Sequence, residues 1–221
     1  MNPLIPNSFL SSWGALNNGN LGATASLSLE RVLAETPVIL PSGANVFRAF
    51  ELLPPENVSV VIIGQDPYPN PDDAMGVAFS SPQTKLPSSL RNIYKEIASD
   101  LDTQPPFTGD LSAWVTQGVL LANTSLTLAA NGKTHFKHWE AFTKGWISGL
   151  AALRPIVWVL WGNHGKKWRP QIEASNLGHV IIESAHPSPL SAIRCGFFGS
   201  KPFSKTNAAL ESLGLRPINW A

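Results

Sequence analysis

Four short, predominantly apolar runs constrain this chain more than any other feature. They lie at residues 58–63 (VSVVII), 119–122 (VLLA), 156–161 (IVWVLW) and 180–182 (VII). None shows the clean alternation of a strand with one wet face, and continuous apolarity is what a strand covered on both faces needs. Helical spacing falls between the runs. Leu90, Ile93, Tyr94 and Ile97 form one stripe, with Ser88 or Ser89 available as its N-cap. Leu111, Trp114 and Val115 mark a short helix closed by Gly118, and Trp139, Phe142, Trp146, Leu150 and Leu153 form a longer stripe. Ser204 is expected to cap a last helix that ends near Gly214. Strands alternating with helices predict an α/β fold, a central four-stranded parallel sheet with helices on both faces.

Length and composition agree with this. No linker or repeat divides the 221 residues, so residues 1–221 are expected to form a single domain. Hydrophobic residues make up 43% and charged residues only 14%, a composition that packs a core and argues against disorder. Most of the eight Trp residues are expected in that core. The net charge of +1 is no signature of nucleic-acid binding, but its distribution is uneven. Residues 154–221 carry eight Lys/Arg against three Glu, and residues 1–153 carry eight against twelve Asp/Glu. Cys195 is the single cysteine, which rules out an internal disulfide and a Cys-based zinc site and fits a reducing compartment. The start, MNPLIPNSFL, lacks the basic and long apolar parts of a signal peptide, and no apolar run approaches spanning length. An intracellular, cytoplasmic location without a membrane is expected.

A parallel sheet of this kind places ligands beyond the carboxyl ends of its strands. The first run leads into Gly64, Gln65 and Asp66, and the second into Asn123. The third leads into Gly162 and Asn163, and the fourth into Ser184, Ala185 and His186. A carboxylate, an amide and an imidazole are thus expected on one rim.

Several motifs in fixed order carry a resemblance. GQDPYPNPDDAMGVAFS (64–80), LLANTSLTL (120–128), VWVLWG (157–162), HPSPLS (186–191), GFFGSKPFSKTN (196–207) and PINW (217–220) together resemble family 1 uracil-DNA glycosylases over residues 47–220. The resemblance implies hydrolysis of the bond between uracil and the sugar in DNA, with release of free uracil. It implies water as the nucleophile and no metal or cofactor. The partner is uracil-containing DNA, double- or single-stranded, bound by a monomer.

The matching positions assign roles. Asp66 positions the attacking water and offsets positive charge on the sugar. His186 donates to the departing uracil O2, for which a neutral imidazole suffices if its other nitrogen is held as an acceptor. Asn123 reads the Watson–Crick edge with one rigid amide and so rejects cytosine. Tyr68 fills the space of a thymine methyl group, Phe79 stacks on the flipped ring, and Gln65 offers backbone groups to the base. Ser89, Ser188 and Ser191 grip the DNA backbone, and Leu190 is the apolar wedge that fills the gap left by the flipped base.

The chain also departs from the family pattern. Pro69 stands where His is usual, Asp72 and Asp73 enter a segment that is commonly less acidic, and Met75 stands at a second common His. Residues 129–139 look shortened, Asn163 stands where Ser is common, and Cys195 is an insertion that displaces Arg194. Two other readings remain open at this point. One is a related glycosylase with shifted base or strand preference, and the other is a weakly catalytic DNA-binding relative. A general α/β hydrolase lacks support, since no G-x-S-x-G elbow or P-loop is present.

Overall fold

The computed structural model describes residues 3–221. Met1 and Asn2, the first two residues of the segment read for a signal, lie outside the described residues. The elements in order are α1 (Asn7–Ser12), α2 (Leu21–Glu35), β1 (Ile39–Leu40), α3 (Arg48–Leu52), β2 (Val60–Gly64), α4 (Ser88–Leu101), α5 (Ser112–Val115), β3 (Val119–Asn123) and β4 (Leu128–Ala129). They continue with α6 (Phe136–Ala151), β5 (Val157–Trp161), α7 (Gly162–Lys166), α8 (Arg169–Glu173), β6 (Val180–Ser184), α9 (Pro189–Arg194) and α10 (Pro202–Ser212).

All four apolar runs become strands of one parallel sheet in the order β3-β2-β5-β6. The two middle strands, β2 and β5, are buried at every position. That burial is possible because helices cover both faces. On β5, Trp158 stacks against Trp146 of α6 at 6.4 Å, while Trp161 meets Phe203 of α10 at 6.3 Å. Side chains three residues apart on a strand point to opposite faces, so α6 and α10 lie on opposite sides of the sheet. All eight Trp side chains are buried. The edge strand β6 is more exposed and places Glu183 in solvent.

The helical stripes form α4, α5, α6 and α10, with local corrections. Ser88 is the first residue of α4 rather than its cap, because Pro87 occupies the cap position. Leu153 lies past the end of α6 and is exposed. Ser204 sits inside the first turn of α10. The free amides of that turn, Phe203 and Ser204, donate instead to Asp100 of α4, both at 2.9 Å. A carboxylate from a neighbouring helix thus does the capping expected of a local hydroxyl. Buried Glu96, one turn earlier on α4, accepts from the Gly199 and Lys201 amides and ties down the loop before α10. Outside the main sheet, β1 and β4 form a two-residue antiparallel ribbon.

Chain direction makes the next link to the site. From β2 the chain moves outward to β3, and from β5 it moves outward the other way to β6. The order reverses between β2 and β5, and a crevice opens beyond the carboxyl ends of strands at such a point.

Candidate active site

A pocket of ≈ 290 Å³ opens beyond the carboxyl ends of β2 and β3, close to the lower end, roughly 300 Å³, of small-molecule clefts. Gln65, Asp66, Tyr68, Phe79, Ser89, Asn123 and His186 all line it. Seven of the ten residues singled out in the sequence therefore meet at one place. Asp66 and His186, 120 positions apart in the chain, face the same space.

Backbone geometry positions each group. Gly64 pairs with Asn123 across β2 and β3. A Cβ on Gly64 would lie 2.1 Å from Asn123 Oδ1, so the amide crosses over space that only glycine leaves open. The Asn123 amide has no hydrogen-bond partner among the described residues, which leaves its donor and acceptor free for a ligand. Gly162, just past β5, performs the same service for His186. Its φ is +70°, and a Cβ there would lie 2.8 Å from the His186 Cβ.

His186 is neutral, and its tautomer follows from its partner. The Ser188 amide donates to Nδ1 at 3.0 Å, so Nδ1 is an acceptor and the proton sits on Nε2. Burial lowers the imidazole pKa below its ordinary value, which favours this neutral form. Asn92 of α4 fixes the same loop by donating to the Pro187 carbonyl at 2.9 Å.

Phe79 adopts a left-handed φ of 65°, uncommon for a bulky residue, at a cost of roughly 1–3 kcal/mol. Its neighbours hold it there. The Tyr68 hydroxyl donates to the Phe79 carbonyl at 2.9 Å, and the Ala78 amide donates to Leu121 of β3 at 3.0 Å. The Phe79 ring meets the edge of Trp161 at 5.3 Å. Burial, with Asp73 and Tyr94 nearby, raises the Tyr68 phenol above its ordinary range, so it remains a neutral donor.

The loop after β2 is braced from below. The Gln65 carbonyl accepts from the Ser125 amide at 2.9 Å and from the Thr124 hydroxyl at 3.2 Å. With its hydroxyl hydrogen directed at Gln65, Thr124 is left as the acceptor for a His164 tautomer protonated on Nε2, 2.6 Å away. Lys167 Nζ lies 3.5 Å from His164 Nδ1. Burial first, then Lys167 and His186, push His164 down to about 4. With its backbone carbonyl engaged twice, Gln65 has its side-chain amide, a donor and an acceptor, to offer a ligand.

Ser188, Leu190 and Ser191 do not line the pocket, but they follow closely on His186, which does. Ser188 precedes α9, and Leu190 and Ser191 stand in the first turn of that helix. Leu190 is 72% exposed, a large apolar side chain with no intramolecular cover.

The family model for the uracil DNA glycosylase superfamily matches residues 50–211. A uracil-DNA glycosylase of Lacticaseibacillus casei (strain BL23) is 52% identical over 188 residues, which cover 84% of this chain and 81% of the relative. The chain belongs to the uracil-DNA glycosylase superfamily. A uracil-DNA glycosylase of Enterococcus faecalis (strain ATCC 700802 / V583) is 50% identical over 190 residues, covering 84% and 83% of the two chains. The crystal structure of mimivirus uracil-DNA glycosylase matches with a TM-score of 0.80 at 28% identity, over 98% of this chain and 87% of that one.

The departures from the family pattern find places in the structure. Asp73 turns into its own loop, accepting from Ser81 at 2.6 Å and from Asn70 at 2.8 Å. Met75 is nearly buried, lines the pocket, and takes the Ser80 hydroxyl on its sulfur at 3.1 Å. Asn163 and Cys195 are exposed, at the start of α7 and just past α9. Within residues 129–139, the turn between β4 and α6 carries Thr134 to Asp66, where the Thr134 hydroxyl donates to Asp66 Oδ1. Sequence reading missed Thr134, Thr124, His164 and Asn92. Of these, only Thr124 and His164 gave a usable signal, since Thr124 directly follows β3 and His164 lies three residues past the end of β5.

Proposed function

We propose that this chain excises uracil from DNA by hydrolysis, leaving an abasic site, as the first step of base excision repair. The observation that carries the reading is one pocket shared by the Asp66 carboxylate, the free Asn123 amide and the Nε2–H of a neutral His186. In this reading the uracil nucleotide is extruded from the helix, because the reacting bond is out of reach inside the base stack. Asn123 pairs with uracil N3–H and O4, Phe79 stacks on the ring, and Tyr68 occupies the space a thymine methyl would need. Leu190 fills the gap in the stack, while Ser89, Ser188 and Ser191 hold phosphates.

Cleavage breaks the bond between C1′ and N1, and the bonding pair leaves with the base. The negative charge spreads onto uracil O2, where His186 Nε2–H meets it. The sugar gains oxocarbenium character next to the Asp66 carboxylate. Water bonds to C1′, and its proton passes to that carboxylate. Uracil-containing DNA is the partner, duplex or single-stranded, and the chain acts as an intracellular, single-domain monomer. The direct test is Asp66→Asn with a uracil-containing oligonucleotide. Most of the rate should disappear while DNA binding survives, and a mutant at wild-type rate would remove Asp66 from the reaction.

A further inference from the structure

Thr134 stands on a turn that the protein anchors at several points. The Ala129 amide donates to the Lys133 carbonyl at 2.9 Å, and Leu128 pairs with Thr134 as an antiparallel bridge. Leu128 and Ala129 pair in turn with Ile39 and Leu40 of β1. On either side of Thr134, Lys133 and His138 both reach the Glu35 carboxylate at the end of α2. The turn is exposed, yet its backbone has little freedom to drift.

The orientation of the Thr134 hydroxyl is set as well. Its oxygen accepts from the Phe136 amide, the first of α6, at 3.2 Å. Its hydrogen is thereby left to Asp66 Oδ1, to which it donates. This is the only side-chain donor that Asp66 has among the described residues. Asp66 Oδ2 has no protein partner among the described residues, and Asp66 lines the pocket. Pro69, three residues on, carries no donor to serve the same purpose.

We propose that Thr134 is a positioning residue for the reaction. It holds Asp66 through Oδ1 so that Oδ2 meets the sugar and the attacking water. The helix amide behind Thr134 makes it a better donor, because hydrogen bonds in a chain polarise one another. Rotation of a carboxylate about its last bond is soft, and a misplacement of about 1 Å at a reacting group can cost roughly 100-fold in rate. A single fixed oxygen removes most of that freedom. The inference rests on the glycosylase reading above, with Asp66 as the group that faces the sugar.

The test compares Thr134→Val, which keeps the shape and loses the hydroxyl, with Thr134→Ser, which keeps the hydroxyl. Each is assayed for uracil release from an oligonucleotide, alone and combined with Asp66→Asn. The Val variant should lose about 10-fold in kcat with KM within about 2-fold of wild type, and the Ser variant should recover most of the loss. In the Asp66→Asn background the Val change should add nothing, since the two residues then act as one unit. Loss of the α6 cap alone would lower Tm without moving kcat. Wild-type kcat in the Val variant would overturn the proposal, and so would an equal further loss on top of Asp66→Asn. If the wild-type chain released no uracil while still binding the oligonucleotide, the parent reading itself would fall. That outcome is distinct from an active wild type indifferent to Thr134.

Discussion

Replacing Gly64 by Ala should separate the site from the fold. The new Cβ would sit 2.1 Å from Asn123 Oδ1 and 2.9 Å from Ala78 Cβ, both well inside normal contact. The first contact is the tip of a side chain, so the amide rotates away at little cost. The second falls at least about 0.5 Å short of ordinary contact, and because the Ala78 Cβ is fixed to its backbone, the chain itself must shift to relieve it. Overpacking of this kind costs about 1–3 kcal/mol, offset by about 0.4–1 kcal/mol from the reduced freedom of the unfolded chain. A net loss near 1–2 kcal/mol corresponds to roughly 2–8 °C in Tm for a chain of this size. The site loses more. An amide turned out of register gives up two hydrogen bonds to the base and leaves buried base atoms unpaired, about 3 kcal/mol in all, or roughly 100-fold in kcat/KM. The assay is uracil release from a single-stranded oligonucleotide, with Tm measured on the same preparation. Wild-type kcat/KM in a folded Gly64→Ala protein would refute the reasoning, because the amide would then not need the space above residue 64.

Three further outcomes follow from the same geometry. Asn123→Asp should admit cytosine as a substrate, because the carboxylate replaces the rejecting amide; oligonucleotides containing cytosine and uracil, compared by product release, check this. Leu190→Ala should reduce activity on duplex substrate about 10-fold more than on single strands, since only a duplex has a stack to fill, and equal losses on both would contradict the wedge. Acid titration should reveal His164. Its folded pKa of about 4 lies below the unfolded value of 6.5, so the unfolded chain binds the proton first. The stability that His164 contributes is therefore complete above about 6.5 and is lost as pH falls towards 4. At about 1.4 kcal/mol per pH unit the gap is worth roughly 3 kcal/mol, reduced to about 1–2 kcal/mol by its partial exposure to solvent. His164→Asn should flatten that part of a plot of denaturation free energy against pH.

What was legible in the sequence depended on how far apart the causes lie. The strands β2, β3, β5 and β6 declare themselves because burial on both faces acts on every residue of the run. The pocket residues declare themselves because chain reversal at a parallel sheet puts polar residues at strand ends, and the motifs there are short and local. Helix α2 is a weaker case. Its buried positions, 21, 25, 28, 29 and 32, have helical spacing, but Ala25 and Ser28 keep the apolar contrast low. The ribbon of β1 and β4, two residues in each strand, is too short for any period to show. The cap of α10 by Asp100 and the contact of Thr134 with Asp66 had no local signal, for their partners are 103 and 68 positions away. Both contacts exist only because packed elements bring distant backbone together. For Thr134 the physical reason is plain. A hydroxyl can serve a carboxylate from any point in the chain, provided a rigid turn delivers it, and the rigidity here comes from β1, Glu35 and the start of α6. Motifs therefore disclose the groups that meet the substrate, while the groups that aim them are disclosed only by the fold.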